Sequence, residues 1–175
     1  RRKNRQRVPA TRLIYLRNST RKHALNVRAL ERKARDVLRA AGEPQASLSL
    51  SLVGDAAIRR LNREHRRKDR ATDVLSFPLL DPSRRSAPAR DAPERMLGDV
   101  VISLDTAARQ AAAYDARLEA ELTRLLIHGV LHLLGWDHEK PGERARMERE
   151  ERRLARAVGM RWPYPGRRPA SAEGS

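Results

Sequence analysis

Leu97-Gly98-Asp99-Val100-Val101-Ile102-Ser103-Leu104 is apolar enough to read as a strand buried on both faces. Ser47-Leu48-Ser49-Leu50-Ser51-Leu52-Val53 differs: it alternates at period two, as a strand with one buried face does. Two shorter runs join them, Arg12-Leu13-Ile14-Tyr15-Leu16-Arg17 and Asp73-Val74-Leu75-Ser76-Phe77, the second ended by Pro78. Between the strands the apolar spacing turns helical. From Thr20 to Ala41 it runs through Leu25, Leu30, Ala34, Val37 and Leu38, and Gly42 stops it. Gly54 and Asp55 cap a second helix with Ala57, Ile58 and Leu61 inside. Asp105 opens a third, which breaks near Tyr114 and Asp115. A fourth begins near Arg117, carries Leu118, Leu122, Leu125, Leu126, Val130 and Leu133, and ends at Gly135. That much apolar surface places it in the core. A last helix, about Glu143 to Val158, is strongly charged outside. Strands interleaved with helices predict a single α/β (α+β) domain, in two or three layers around a mixed sheet of about four strands. No internal repeat is visible.

The chain has 175 residues, a size that suits one domain with a real core. Only six residues are aromatic, so that core must be aliphatic. No apolar run approaches the roughly 18–20 residues that span a bilayer. No apolar segment of signal-peptide type follows the basic start Arg1-Arg2-Lys3-Asn4-Arg5, which points to a cytoplasmic protein. The domain is expected over 12–160, with a basic disordered arm at 1–11, a mobile Pro-containing loop at 81–95 and a disordered tail at 161–175. Cysteine is absent, which excludes a disulfide framework, a thiolate zinc site and a Cys nucleophile. Any metal must then be held by His and carboxylates. A formal charge of +16 favours a polyanionic partner, nucleic acid before membrane. Arg and Ala richness is also what a compositional bias of the genome gives, so charge alone is a weak motif.

The chemistry concentrates in His128-Gly129-Val130-Leu131-His132-Leu133-Leu134-Gly135-Trp136-Asp137-His138. Helix positions i and i+4 share a face, so His128 and His132 converge on one ion. Gly135 provides the left-handed residue that ends a helix, and the reversed chain brings His138 back as a third ligand. Three neutral imidazoles leave the fourth tetrahedral position of zinc open, as catalytic sites do. The same spacing marks the metzincin zinc peptidases, which carry their general base, a Glu, directly after the first His. Here that residue is Gly129, so the pattern supports the metal and counts against proteolysis.

A second constellation precedes the third strand. Arg59 to Arg70 holds seven Lys and Arg against Glu64 and Asp69, a density that suits phosphate binding. Thr72 and Asp73 follow where the loop meets the strand, placed to orient backbone groups, and Ser76 interrupts an apolar run with a hydroxyl.

Taken together, Leu61-Asn62 with Arg66 and Asp69, Thr72 to Pro78, Leu97 to Ser103, and His128 to His138 resemble the YbeY family of metallo-endoribonucleases. The resemblance covers roughly 12–160, with Ala71 where the family usually has Pro and Trp136 where Tyr is common. It implies a small α/β fold with a zinc-hydrolase-like core and one Zn2+ ion per chain on His128, His132 and His138. It implies single-strand-specific RNA cleavage, in maturation of the 3′ end of small-subunit ribosomal RNA and in ribosome quality control. Arg66 matches the family's functional arginine. The expected site therefore has Arg66 and His128 as catalytic residues and Arg59, Arg66, Arg67 and Lys68 on RNA, with ribosomal proteins as further partners and no membrane. Asp137 is a candidate base or a partner that orients an imidazole. The alternatives are a metzincin-like metallopeptidase and a non-catalytic, rRNA-binding assembly factor.

Overall fold

The computed structural model describes residues 13–79 and 95–162. The arm expected at 1–11, nearly all of the loop expected at 81–95 and most of the tail expected at 161–175 lie outside the described residues. In chain order the elements are β1 (Ile14–Asn18), α1 (Val27–Ala40), β2 (Ala46–Val53), α2 (Asp55–Arg66), β3 (Val74–Pro78), β4 (Arg95–Ser103), α3 (Leu104–Ala113), α4 (Leu118–Leu133) and α5 (Pro141–Ala157).

Strand order is β1-β2-β4-β3, with β1 and β4 parallel to β2 and β3 antiparallel to β4. This is the expected four-stranded mixed sheet in a single α+β domain. Period-two alternation sorts the side chains of β4. Val100 and Ile102 join the main core, while Val101 turns the other way to meet Leu75 and Ile58. Both faces are covered, as the apolar run in β4 requires. Helices α1 and α4 lie on the main-core face, with α3 against α4 and α5 against both α1 and α4. Helix α2 covers the opposite face through Ile58.

Boundaries moved where a cap outweighed periodicity. Helix α1 starts at Val27 rather than Thr20, because the Asn26 side chain accepts a hydrogen bond from the Ala29 N–H at 3.0 Å. Ser103 likewise caps α3, which starts at Leu104, one residue before the expected Asp105. In α2 the buried pair is Ile58 and Asn62, with Ala57 and Leu61 only partly covered.

Two polar contacts fasten the edge strand β3 to α4. Ser76 Oγ donates to the Gly129 carbonyl at 3.2 Å. Below it, the buried Asp73 carboxylate meets Arg124 at 3.8 Å and accepts from Gln110 Nε2 at 3.2 Å, while Glu121 pairs with the same arginine. Buried charges persist only when paired in this way. The interrupted apolar strand seen in the sequence is thus a docking edge for the helix that carries two of the histidines.

Candidate metal centre

Helix α4 is closed at its C-terminus by a left-handed residue, Gly135 at φ 86°. The Trp136 N–H reaches back to the Leu131 carbonyl at 3.0 Å, and the Trp136 side chain packs on the core. Asp137 then organises the turn: its Oδ1 accepts from the backbone N–H groups of His138 at 2.6 Å and Glu139 at 3.3 Å. The turn delivers His138 to the two helical histidines, as the spacing predicted. Asp137 acts here on backbone amides and not as an orienting partner of an imidazole.

One ring nitrogen from each of His128, His132 and His138 lies within 4.8 Å of the others. His128 Nε2 and His132 Nε2 face each other at 3.0 Å, and His138 Nε2 is buried with no hydrogen-bond partner. Tetrahedral zinc with bonds of about 2.0–2.1 Å separates its ligand atoms by about 3.3 Å. Opposed nitrogens at that range, with a third orphaned beside them, fit one small divalent ion. His132 is pushed down to about 3. Burial is the main cause, followed by the positive charge that His128 and His138 would carry, with Arg66 adding to the effect and Asp137 opposing it. A neutral imidazole with its lone pair available follows, which is the form that binds metal.

Sequence reading missed Glu151. Its Oε1 sits 2.6 Å from His128 Nδ1, on the side of the ring away from the converging Nε2 atoms, and both residues are buried. The signal was present in α5, where Met147, Glu151, Leu154 and Ala155 form the buried stripe of an otherwise charged helix. A glutamate on an apolar stripe needs a partner.

The basic residues divide into two kinds. Arg59 forms a two-point fork with Asp69, Nε to Oδ1 and Nη2 to Oδ2, each at 2.9 Å. That bond holds the Asp69 carboxyl below its usual range. Arg67 ends α2 in a left-handed conformation at φ 56°, and Lys68 donates its backbone N–H to the Asn62 carbonyl at 3.3 Å. Asn62, fully buried, donates Nδ2 to the Arg70 carbonyl at 2.9 Å and so pins the basic loop. Arg66 differs from these. Its exposed guanidinium reaches the Ser76 carbonyl only at 3.5 Å, and its charge is felt by His132. Among these basic residues it is the one whose charge bears on His132.

Gly129 fills a different role from the empty base position expected of it. A Cβ there would lie 2.8 Å from Val100 Cγ1 and 3.2 Å from Ser76 Oγ. The residue is small because the backbone of α4 presses on the sheet. The position faces packed side chains and offers no path to a substrate.

Residues 15–159 match the family model for endoribonuclease YbeY. An endoribonuclease YbeY from Anaeromyxobacter sp. (strain Fw109-5) is 54% identical over 133 residues, 76% of this chain and 65% of that one. The corresponding protein of Geobacter metallireducens is 41% identical over 144 residues, 81% of this chain and 92% of that one. The chain thus spans slightly under two thirds of the Anaeromyxobacter relative and nearly all of the Geobacter one. A solution structure from Thermotoga maritima shares the fold at a TM-score of 0.57 and 24% identity, covering 83% of this chain and 89% of that one. The family match encloses the histidine cluster, Arg66 and the strand that fastens α4, and the chain belongs to the endoribonuclease YbeY family.

Proposed function

We propose that the chain is a single-strand-specific, zinc-dependent endoribonuclease that matures the 3′ end of small-subunit ribosomal RNA in the cytoplasm. The observation that carries this reading is the buried, unpartnered His138 Nε2 beside two converging imidazoles, with the charge of the exposed Arg66 bearing on His132. His128, His132 and His138 would hold the ion. When bound, zinc supplies Lewis acidity toward a phosphoryl oxygen and lowers the pKa of water toward about 7. The chain's own residues do the rest. Burial keeps His132 uncharged at neutral pH, and Asp137 fixes the turn that aims His138. Arg66 offers guanidinium donors to a flanking phosphate. Arg67 and Lys68 extend the cationic surface along the chain of the substrate, and Arg59 joins them once RNA competes with Asp69 for its fork. Such a surface suits ribosomal RNA, and no helix among the described residues is long and apolar enough to cross a membrane.

The peptidase alternative needs a base after the first histidine, and Val100 and Ser76 occupy that space. The test incubates purified protein with single-stranded RNA and with casein, each with and without chelator. RNA cleavage abolished by chelator is the expected result. Casein cleavage would support a peptidase, and tight RNA binding without cleavage a non-catalytic assembly factor. His128→Ala, His132→Ala and His138→Ala should each lower bound zinc after purification. Full occupancy in any one of them removes that residue from the ligand set.

A further inference from the structure

The histidine cluster has a carboxylate behind it. Glu151 Oε1 is 2.6 Å from His128 Nδ1, and the two residues, 23 apart in sequence, come from different helices. We propose that Glu151 is a positioning residue of the metal centre, which holds the His128 proton on Nδ1 and leaves Nε2 as the ligand atom. This inference rests on the metal-centre reading of the three histidines.

Two arguments support it. The first concerns the tautomer. A neutral imidazole has one N–H and one lone pair, and the hydrogen-bond partner decides which nitrogen carries which. An ionised carboxylate accepts only, so a glutamate at 2.6 Å from Nδ1 requires the proton there. The lone pair then lies on Nε2, which faces His132 Nε2 at 3.0 Å. The second concerns charge. Three neutral imidazoles bring no compensation to a divalent ion in a site that is partly buried, and a charge drawn from water without a counter-charge is costly. Glu151, itself only 7% exposed, supplies a negative charge one ring away from the ion's position.

The glutamate is placed by a rigid element. Met147, Leu154 and Ala155 seat α5 in the main core. Two reciprocal bonds tie it to α1: Lys33 Nζ donates to the Val158 carbonyl at 2.7 Å, and Arg153 Nη2 donates to the Ala40 carbonyl at 3.0 Å. A carboxylate fixed in this way orients an imidazole more sharply than one on a loop would.

Glu151→Ala and Glu151→Gln separate the two arguments. The amide oxygen of Gln still accepts from Nδ1–H but carries no charge. The histidine tautomer is read by 15N NMR of chelator-stripped protein, a readout that needs neither metal nor activity. Zinc affinity is read by competition with a chromophoric chelator. Stripped wild type should carry the His128 proton on Nδ1. Glu151→Ala should shift it toward Nε2 and weaken zinc binding by about 10–100-fold, as loss of such partners does. Glu151→Gln should keep the tautomer and fall between the two in affinity, and it decides the matter alone if the alanine variant does not fold. A wild-type proton on Nε2, or variants that bind zinc as tightly as wild type, would overturn the proposal. A wild-type chain that keeps the Nδ1 tautomer yet takes up no zinc overturns the metal-centre reading, and with it this role.

Discussion

Arg59 and Arg66 are two turns apart on one helix and equal in charge, yet their surroundings make them different tools. The Arg59 fork is matched at both ends by Asp69, so RNA must displace a carboxylate to use it. Arg66 makes one long hydrogen bond to a backbone oxygen, and the cluster lies within reach of its charge. Arg66→Ala should therefore weaken single-stranded RNA binding and flatten the slope of log K against log salt by about 0.7 for each phosphate no longer neutralised. Arg59→Ala should change affinity less. Titrations at several salt concentrations decide it, and equal effects of the two variants would mean that the fork opens freely. At this scale the sequence was legible where partners are local. His128, His132 and His138 are joined by one helical turn and one glycine turn, both readable from spacing. Glu151 was legible only as a glutamate on an apolar stripe in want of a partner, because no short-range rule links it to His128. The fork between Arg59 and Asp69 was hidden for a related reason: it closes across the end of a helix, where periodicity stops.

The fit between α4 and the sheet governs the next scale up. Gly129 looked in sequence like a missing catalytic base, since the helical motif gave it a neighbour's role. In the folded chain it is a packing residue, with its absent Cβ 2.8 Å from Val100 Cγ1. Gly→Ala inside a helix ordinarily gains about 1 kcal/mol, while overpacking a filled core costs about 1–3 kcal/mol. Here the second effect should win, and Gly129→Ala should destabilise. Val100→Ala makes room for the new methyl group, so the double variant should be more stable than the sum of the two single losses implies. Urea unfolding of all four proteins measures the coupling. Strict additivity would mean that α4 shifts away from β4 without cost. The strands and helices themselves were largely legible, because β2 and β4 declare their faces through alternation and apolar content. The start of α1 was not, because the Asn26 cap outweighs the apolar positions before it.

Across the whole molecule, folding carries a cost at the cluster that acid exposes. Burial and neighbouring positive charge hold His132 down to about 3, whereas an unfolded histidine titrates near 6.5. Between those values the unfolded chain binds a proton at this residue and the native chain does not. Stability must then fall as pH falls, by up to about 1.4 kcal/mol per unit from this group. The carboxylates held low, such as Asp55, where bonds from Ser103, Thr106 and Arg109 outweigh its burial, and Glu150 with its bond from Arg153, add their losses only around and below the ordinary values of 3.8 for aspartate and 4.5 for glutamate. The interval from pH 6.5 to about 5 therefore isolates histidine from carboxylate. Chelator-stripped wild type should show a urea midpoint that drops steadily from pH 7 to pH 5, and His132→Gln should show a shallower drop over the same range. Parallel curves for the two proteins would mean that the native fold accepts a proton on His132 at mild acidity, and the cluster would not then be held ready as a set of neutral ligands.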